Sequence, residues 1–221
     1  MVINKYLAEF LGTFILVGLG SMGILAVGGA GGPAQIVAIA LAFGLALLAG
    51  IWVVGHVSGA HFNPAVTLAF LLEGELSLSD AIGYWVGQFA GASVASLVVW
   101  LAADSREALG LTVTTYPGLR TAIIVEVVLT AVFVWTVLSV VKRGASHAPA
   151  AIALTLTGIH LAGIPLSGAS VNPARSFGPA VVSGGSFGEL WVYIYAPIIG
   201  AVVAWWLHRL FSGDEQAPAA S

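Results

Sequence analysis

Residues 58–67 read SGAHFNPAVT and residues 167–176 read SGASVNPARS. Six of the first eight letters, S-G-A-x-x-N-P-A, coincide, and Asn63 and Asn172 stand 109 residues apart in a chain of 221. A loop this short recurs when the unit carrying it recurs, so the chain reads as two copies of one unit. Asn-Pro also has a local meaning. Asn caps a helix N-terminus with its side-chain oxygen, and Pro suits the first helical turn, where its missing N–H would be unpaired anyway. Short helices are therefore expected from Asn63 to about Leu72 and from Asn172 to about Val182. A single copy would be an ordinary helix start; two at matching places demand a common purpose.

The surroundings of each copy are apolar. The chain is 59% hydrophobic and 8% charged, against about 25% charged in soluble domains, which makes it an integral membrane protein. Its apolar runs are continuous rather than alternating, the pattern of spanning helices and not of a barrel. The net charge of −3 rests on loop residues and offers no surface to a nucleic acid. There is no cysteine, so disulfides, thiolate metal sites and cysteine nucleophiles are excluded. No metal and no cofactor is expected. The opening MVINKYLAEF places a lysine before an apolar run, as a signal peptide does. That run is too long, contains Glu9 and lacks a cleavage site, so it is read as the first membrane helix.

No Asp, Glu, Lys or Arg occurs between Glu9 and Glu73, a run too long for one crossing of about 20 residues. It breaks at GGAGGP, residues 28–33, where glycines and a proline cannot continue a helix. Spans are expected near 5–27, 34–56, 81–103, 120–141, 148–166 and 190–211. The two motif segments that remain are apolar but too short to cross. Each half thus has three spans, with an interrupted segment between its second and third. Three crossings reverse direction, so the second half lies inverted relative to the first. The predicted fold class is an all-α membrane protein of six transmembrane helices plus two re-entrant half-helices. It forms one domain over 1–211, with repeats about 1–103 and 118–211 and a disordered tail at 212–221. Interrupted segments at corresponding places in inverted halves point to a site at the membrane midplane. Lys5, Lys142, Arg143 and Arg209 fall on one side and Arg106 and Arg120 on the other, which puts both termini in the cytoplasm.

The motif then acquires a physical role. Non-helical backbone at membrane depth is tolerated where it lines a water-filled cavity or is buried in protein. Before each Asn-Pro, the stretches SGAHF and SGASV would present carbonyls as a ladder of acceptors, kept accessible by Gly59, Ala60, Gly168 and Ala169. Inversion brings the two short helices together N-terminus to N-terminus. Each carries about half a positive charge at that end, so the meeting point repels cations. Each Asn has two amide N–H donors and can offer at least one to the cavity. A neutral molecule that accepts hydrogen bonds is favoured there, and a proton or sodium ion is not.

With both motifs in place, the chain resembles the aquaporins, or major intrinsic proteins. The resemblance extends over AEFLGTF (8–14), FGLALLAGIWVVGHVSGAHFNPAVT (43–67), VEVVLTAVFV (125–134) and GIHLAGIPLSGASVNPARSFGPA (158–180). It implies an aquaporin-like fold in which each subunit holds its own pore, assembled as a homotetramer in the membrane lipid, with short termini as in prokaryotic members. The paired motifs would be Asn63, Pro64, Ala65 and Asn172, Pro173, Ala174. The narrowest point would be formed by Phe43, His160, Ala169 and Arg175. Pore-facing carbonyls would come from Gly59, Ala60, His61, Gly168 and Ser170, with the His61 side chain also within reach.

The residues carry part of this by themselves. Arg175 is the one formal charge between Arg143 and Glu189, and an arginine at membrane depth is costly and usually functional; the rival is an arginine snorkelling to the phosphates. Alone, His160 reads more readily as a hydrogen-bonded core histidine. Family members that pass glycerol are similar to one another in having Gly at that place and Asp directly after NPAR. This chain has His160 and Ser176, which matches the water-selective branch, as do Ala180 and Tyr193. Ile194 departs from it, where an aromatic usually stands. Ala169 is small and implies a slightly roomier hole than the Thr of bacterial relatives.

Glu9 and Glu126 fall at similar places in the two halves. By resemblance they support the motif loops by accepting hydrogen bonds. The rival is a proton relay in a coupled transporter. Ser58 with His56 or His61 suggests a hydrolase, but no acid orients a histidine in that stretch, and no enzyme is expected. Gly83, Gly87 and Gly91 mark one helix face for close crossing, within a subunit or between subunits. The expected function is passive water conduction in single file across the plasma membrane, excluding protons and ions. A facilitator of glycerol, ammonia or another small neutral solute is the alternative.

Overall fold

The structure, a computed structural model, describes residues 2–103, 109–113, 118–184 and 187–212. Eight helices follow one another among these residues: α1 (Val2–Ala26), α2 (Pro33–Ser58), α3 (Pro64–Leu72), α4 (Leu78–Ala103), α5 (Leu119–Lys142), α6 (Ala148–Ser167), α7 (Pro173–Ser183) and α8 (Leu190–Ser212). Six of them, all but α3 and α7, are long and apolar enough to cross a membrane. The fold is all-α, with six spans and two half-helices, as the apolar runs predicted. Helix ends fall within three residues of the expected ones. Of the tail expected at 212–221, Ser212 instead closes α8, and the remainder lies outside the described residues, as does Arg106.

The two halves repeat the same packing. In the first, α1 lies against α2 and α4; in the second, α5 lies against α6 and α8. The halves are joined through α2 and α6 and by exchange of the half-helices, with α3 packed on α8 and α7 on α4. Outward faces are apolar and exposed, as at Trp52, Leu101 and Leu154, which is what a helix facing hydrocarbon requires.

Close approach in each half depends on a glycine at the repeat spacing. A Cβ on Gly91 would lie 2.3 Å from the Phe10 carbonyl oxygen, and one on Gly200 would lie 2.6 Å from that of Val127. These are backbone atoms, which a side-chain rotation cannot clear. The Gly83–Gly87–Gly91 face therefore serves α1 of the same subunit, since Gly83 and Gly87 meet Tyr6 and Gly91 meets Phe10. Gly91→Ala should cost about 1–3 kcal/mol through this overpacking, read as a lower unfolding midpoint in detergent. Gly18→Ala, whose added Cβ would sit 3.7 Å from the Ala95 Cβ in ordinary contact, is the matched control and should be near neutral. Equal midpoints for the two variants would contradict the close α1–α4 crossing.

Candidate functional site

Each motif begins in the last turn of a long helix. Ser58 ends α2 and Ser167 ends α6, and Gly59 (φ 89°) and Gly168 (φ 79°) cap those helices in the left-handed region. The motif serines were expected in the non-helical stretch; here they belong to the preceding helix. Beyond the glycines, Ala60, Phe62, Ala169 and Val171 all have positive φ, between 47° and 57°. Such a conformation is unfavourable for ordinary residues, above all for β-branched Val171, and persists only where surrounding structure enforces it.

Two buried carboxylates enforce it. Glu9 Oε1 accepts from Ser58 Oγ (2.6 Å) and the His61 amide (3.0 Å), and Oε2 from the Phe62 amide (2.7 Å) and Gln88 Nε2 (2.7 Å). Glu126 does the same in the other half, accepting from Ser167 Oγ (2.7 Å) and the Ser170 (2.8 Å) and Val171 (2.7 Å) amides. Each serine hydroxyl in turn accepts from the amide two residues on, that of Ala60 or Ala169, at 3.2 Å. Tyr84 and Tyr193 donate to the carbonyls of Ser58 and Ser167, at 2.6 and 2.8 Å. The sequence named the carboxylates as loop supports but not the part these hydroxyls play, although the two tyrosines stand at the same 109-residue spacing as the motifs. Ser58 donates to Glu9 and not to a histidine.

The half-helices start as expected. Asn63 Oδ1 accepts from the Ala65 amide (2.9 Å), and Asn172 Oδ1 from those of Ala174 (3.0 Å) and Arg175 (3.3 Å), with Pro64 and Pro173 leading the helices. The two motifs also bind each other. Asn63 Nδ2 donates to the Val171 carbonyl (2.8 Å) and Asn172 Nδ2 to the Phe62 carbonyl (2.9 Å). One N–H of each amide is spent on this cross-link, and the second remains.

Three spaces lie in series along these loops. The middle one is about 10 Å³, lined by Leu16, Phe43, Leu47, His61, Asn63, Phe133, Leu156, His160, Ser170, Asn172 and Arg175. That is about the least volume that holds one water. A wider space of about 420 Å³ adjoins it, sharing Phe43, His160 and Arg175 and lined also by Gly168. On the other side a space of about 160 Å³ shares Leu47, His61 and Phe133 and takes in Gly59 and Ala60.

Three of the four residues expected at the narrowest point converge on the first junction. The Phe43 and His160 rings are stacked with centroids 4.4 Å apart, and the Arg175 guanidinium lies 4.9 Å from the Phe43 centroid. Arg175 Nη1 donates to the Gly110 carbonyl at 2.6 Å, while its buried Nε has no partner among the described residues. His160 Nδ1 meets the Leu156 carbonyl at 3.0 Å, and its buried Nε2 also has none among them. A carbonyl only accepts, so Nδ1 carries the proton and Nε2 presents a lone pair. The fourth residue, Ala169, is fully buried beside Gly163 of α6 and lines none of the three spaces. Ile194, which departed from the expected pattern, faces an outer groove with Trp85, Phe89 and Phe177 and lines none of these spaces.

Two half-helices meeting at a narrow passage, with Asn63, Asn172, His160 and Arg175 on its wall, between six spanning helices define a channel architecture. The chain belongs to the major intrinsic protein family of membrane channels, whose model matches residues 1–208. It is 41% identical over 220 residues to "Glycerol uptake facilitator protein-like 6" of Lactiplantibacillus plantarum, covering 96% of this chain and 100% of that one. It is 38% identical to "Aquaporin Z" of Rhodopseudomonas palustris, over 96% of this chain and 94% of the relative. A solved structure of similar fold is the aquaglyceroporin from Plasmodium falciparum, with TM-score 0.84, 25% identity and coverage of 94% and 96% of the two chains.

Proposed function

We propose that this channel is a water channel: passive, single-file, and closed to protons and ions. The observation that carries the reading is the middle space, which holds about one water and is walled at the first junction by Phe43, His160 and Arg175, where two polar atoms have no partner among the described residues. Arg175 Nε would donate to a passing water and His160 Nε2 accept from it. Asn63 and Asn172 would each donate their second N–H to its oxygen, and carbonyls of Gly59, Ala60, His61, Gly168 and Ser170 would accept along the way. Arg175 and the facing ends of α3 and α7 give a positive potential that opposes cations. Ala169 would act through backbone placement of its loop. Glu9 and Glu126 would hold the loops rather than relay protons, since their oxygens are occupied by loop donors.

The same reading places a homotetramer in the plasma membrane with both termini in the cytoplasm, on the excess of Lys5, Lys142, Arg143 and Arg209 at that end. The glycerol alternative draws support from the names of the Lactiplantibacillus plantarum relative and the Plasmodium falciparum neighbour. His160 and Ser176 favour water over it.

Proteoliposomes decide between the two. Under a sucrose gradient they should shrink several-fold faster than empty vesicles, while glycerol enters at the empty-vesicle rate. Glycerol entry rivalling water would overturn the water-selective reading.

A further inference from the structure

The second junction, at His61, is built with as much care as the first. The His61 ring stacks on Phe70 (centroids 4.6 Å apart) and meets the edge of Tyr84 (5.1 Å). Its Nδ1 lies 3.1 Å from Thr67 Oγ1, which lies 2.8 Å from Gln88 Nε2, which lies 2.7 Å from Glu9 Oε2. The ring is shared between the middle space and the 160 Å³ space beyond it.

The direction of every hydrogen bond in that chain follows from its fixed end. Glu9 receives four donors and has none to give, so the Gln88 amide must turn its NH₂ toward it. The same nitrogen then donates to Thr67 Oγ1. Thr67 has one proton, and among the described residues His61 Nδ1 is the one acceptor within its reach. Its hydroxyl is fully buried, where an unspent donor is costly. The proton therefore goes to Nδ1, which must be a bare acceptor, and the ring proton sits on Nε2.

Resting on the water-channel reading, we propose that His61 is a second specificity-determining residue, fixed as an Nε2–H donor by Glu9, Gln88 and Thr67. Gln88 and Thr67 are positioning residues acting through it. The two histidines then have opposite polarity. His160 Nε2 accepts, so a permeant must donate a hydrogen bond there; His61 Nε2–H donates, so it must accept one at the far end. Water satisfies both, and a solute that can only accept fails at His160. The device belongs to the first repeat alone. At the matching places of the second, Ser170 replaces His61 and Pro197 replaces Gln88, and Ser176 bonds Ser170 and Thr112 instead.

The test is ¹⁵N solid-state NMR of histidine-labelled protein in proteoliposomes, with His61→Gln used to assign the His61 signals. The native protein should show His61 protonated on Nε2 and not on Nδ1. Thr67→Val, which leaves Glu9 and Gln88 in place, should give both tautomers and lower water permeability about fivefold, the worth of one net hydrogen bond. Thr67→Ser, which keeps the hydroxyl, should restore the native tautomer. Gln88→Met should also give both tautomers, because the Thr67 hydroxyl can then turn either way. An Nδ1-protonated or doubly protonated native ring overturns the proposal, as does an unchanged tautomer in Thr67→Val. The outcome is separable from the water reading. A native protein that passes no water but shows the Nε2–H ring sinks only that reading, and a conducting protein with the opposite tautomer sinks only this one.

Discussion

Glu126→Leu should yield almost no folded channel. The carboxylate accepts from Ser170 and Val171 amides at 2.8 and 2.7 Å and is fully buried. Leucine has similar bulk and no acceptor, so the amides of two buried residues are left without the acceptor they have now. Each orphan costs about 1–3 kcal/mol, and Val171 at φ 47° loses the contact that holds it there. A sum of about 2–6 kcal/mol is a large part of the roughly 5–15 kcal/mol that keeps a protein folded. The measurement is the fraction recovered as monodisperse protein after detergent extraction. Glu75→Leu is the control, because it breaks only the half-exposed pair with Lys142 at 3.4 Å, worth about 0–1 kcal/mol. If the two variants extract equally well, the loops do not depend on Glu126.

His160→Gly should turn glycerol from an excluded solute into a permeant one. The imidazole stacked 4.4 Å from Phe43 is the common wall of the 10 Å³ and 420 Å³ spaces. Removing it opens the junction by the volume of a five-membered ring, and steric discrimination in narrow sites is worth about ten- to two-hundredfold. Glycerol entry into proteoliposomes should rise by at least about tenfold, with water flow retained. The loop supports do not touch His160, so folding should survive. A folded variant that conducts water and still excludes glycerol would move the barrier elsewhere, with the His61 junction the next candidate.

The fold was legible because the membrane leaves few choices. A chain that must satisfy its backbone inside hydrocarbon forms helices, and the charge-free run between Glu9 and Glu73, broken at the glycines before Pro33 and again at the motif around Pro64, shows where they end. The repeat at Asn63 and Asn172 supplied the inversion, and Asn-Pro supplied the half-helix starts. Arg175 was legible for a similar reason, as a charge with no other place in an apolar segment.

What the amino-acid order could not decide was pairing across distance. That Asn63 spends one N–H on Val171, and Asn172 one on Phe62, depends on how closely two inverted loops approach. The same holds for Ala169, which stands in the right place along the chain yet packs beside Gly163. A left-handed backbone aims each side chain differently from an extended one, and periodicity gives no warning of it. Gln88 and Thr67 read as unremarkable helix residues until folding brings them between Glu9 and His61. Composition and repeats therefore determined the architecture, because the bilayer constrains every residue in the same way. The direction of each hydrogen bond at the two junctions was decided by tertiary structure, because a buried polar atom takes its role from whichever partner the packing presents.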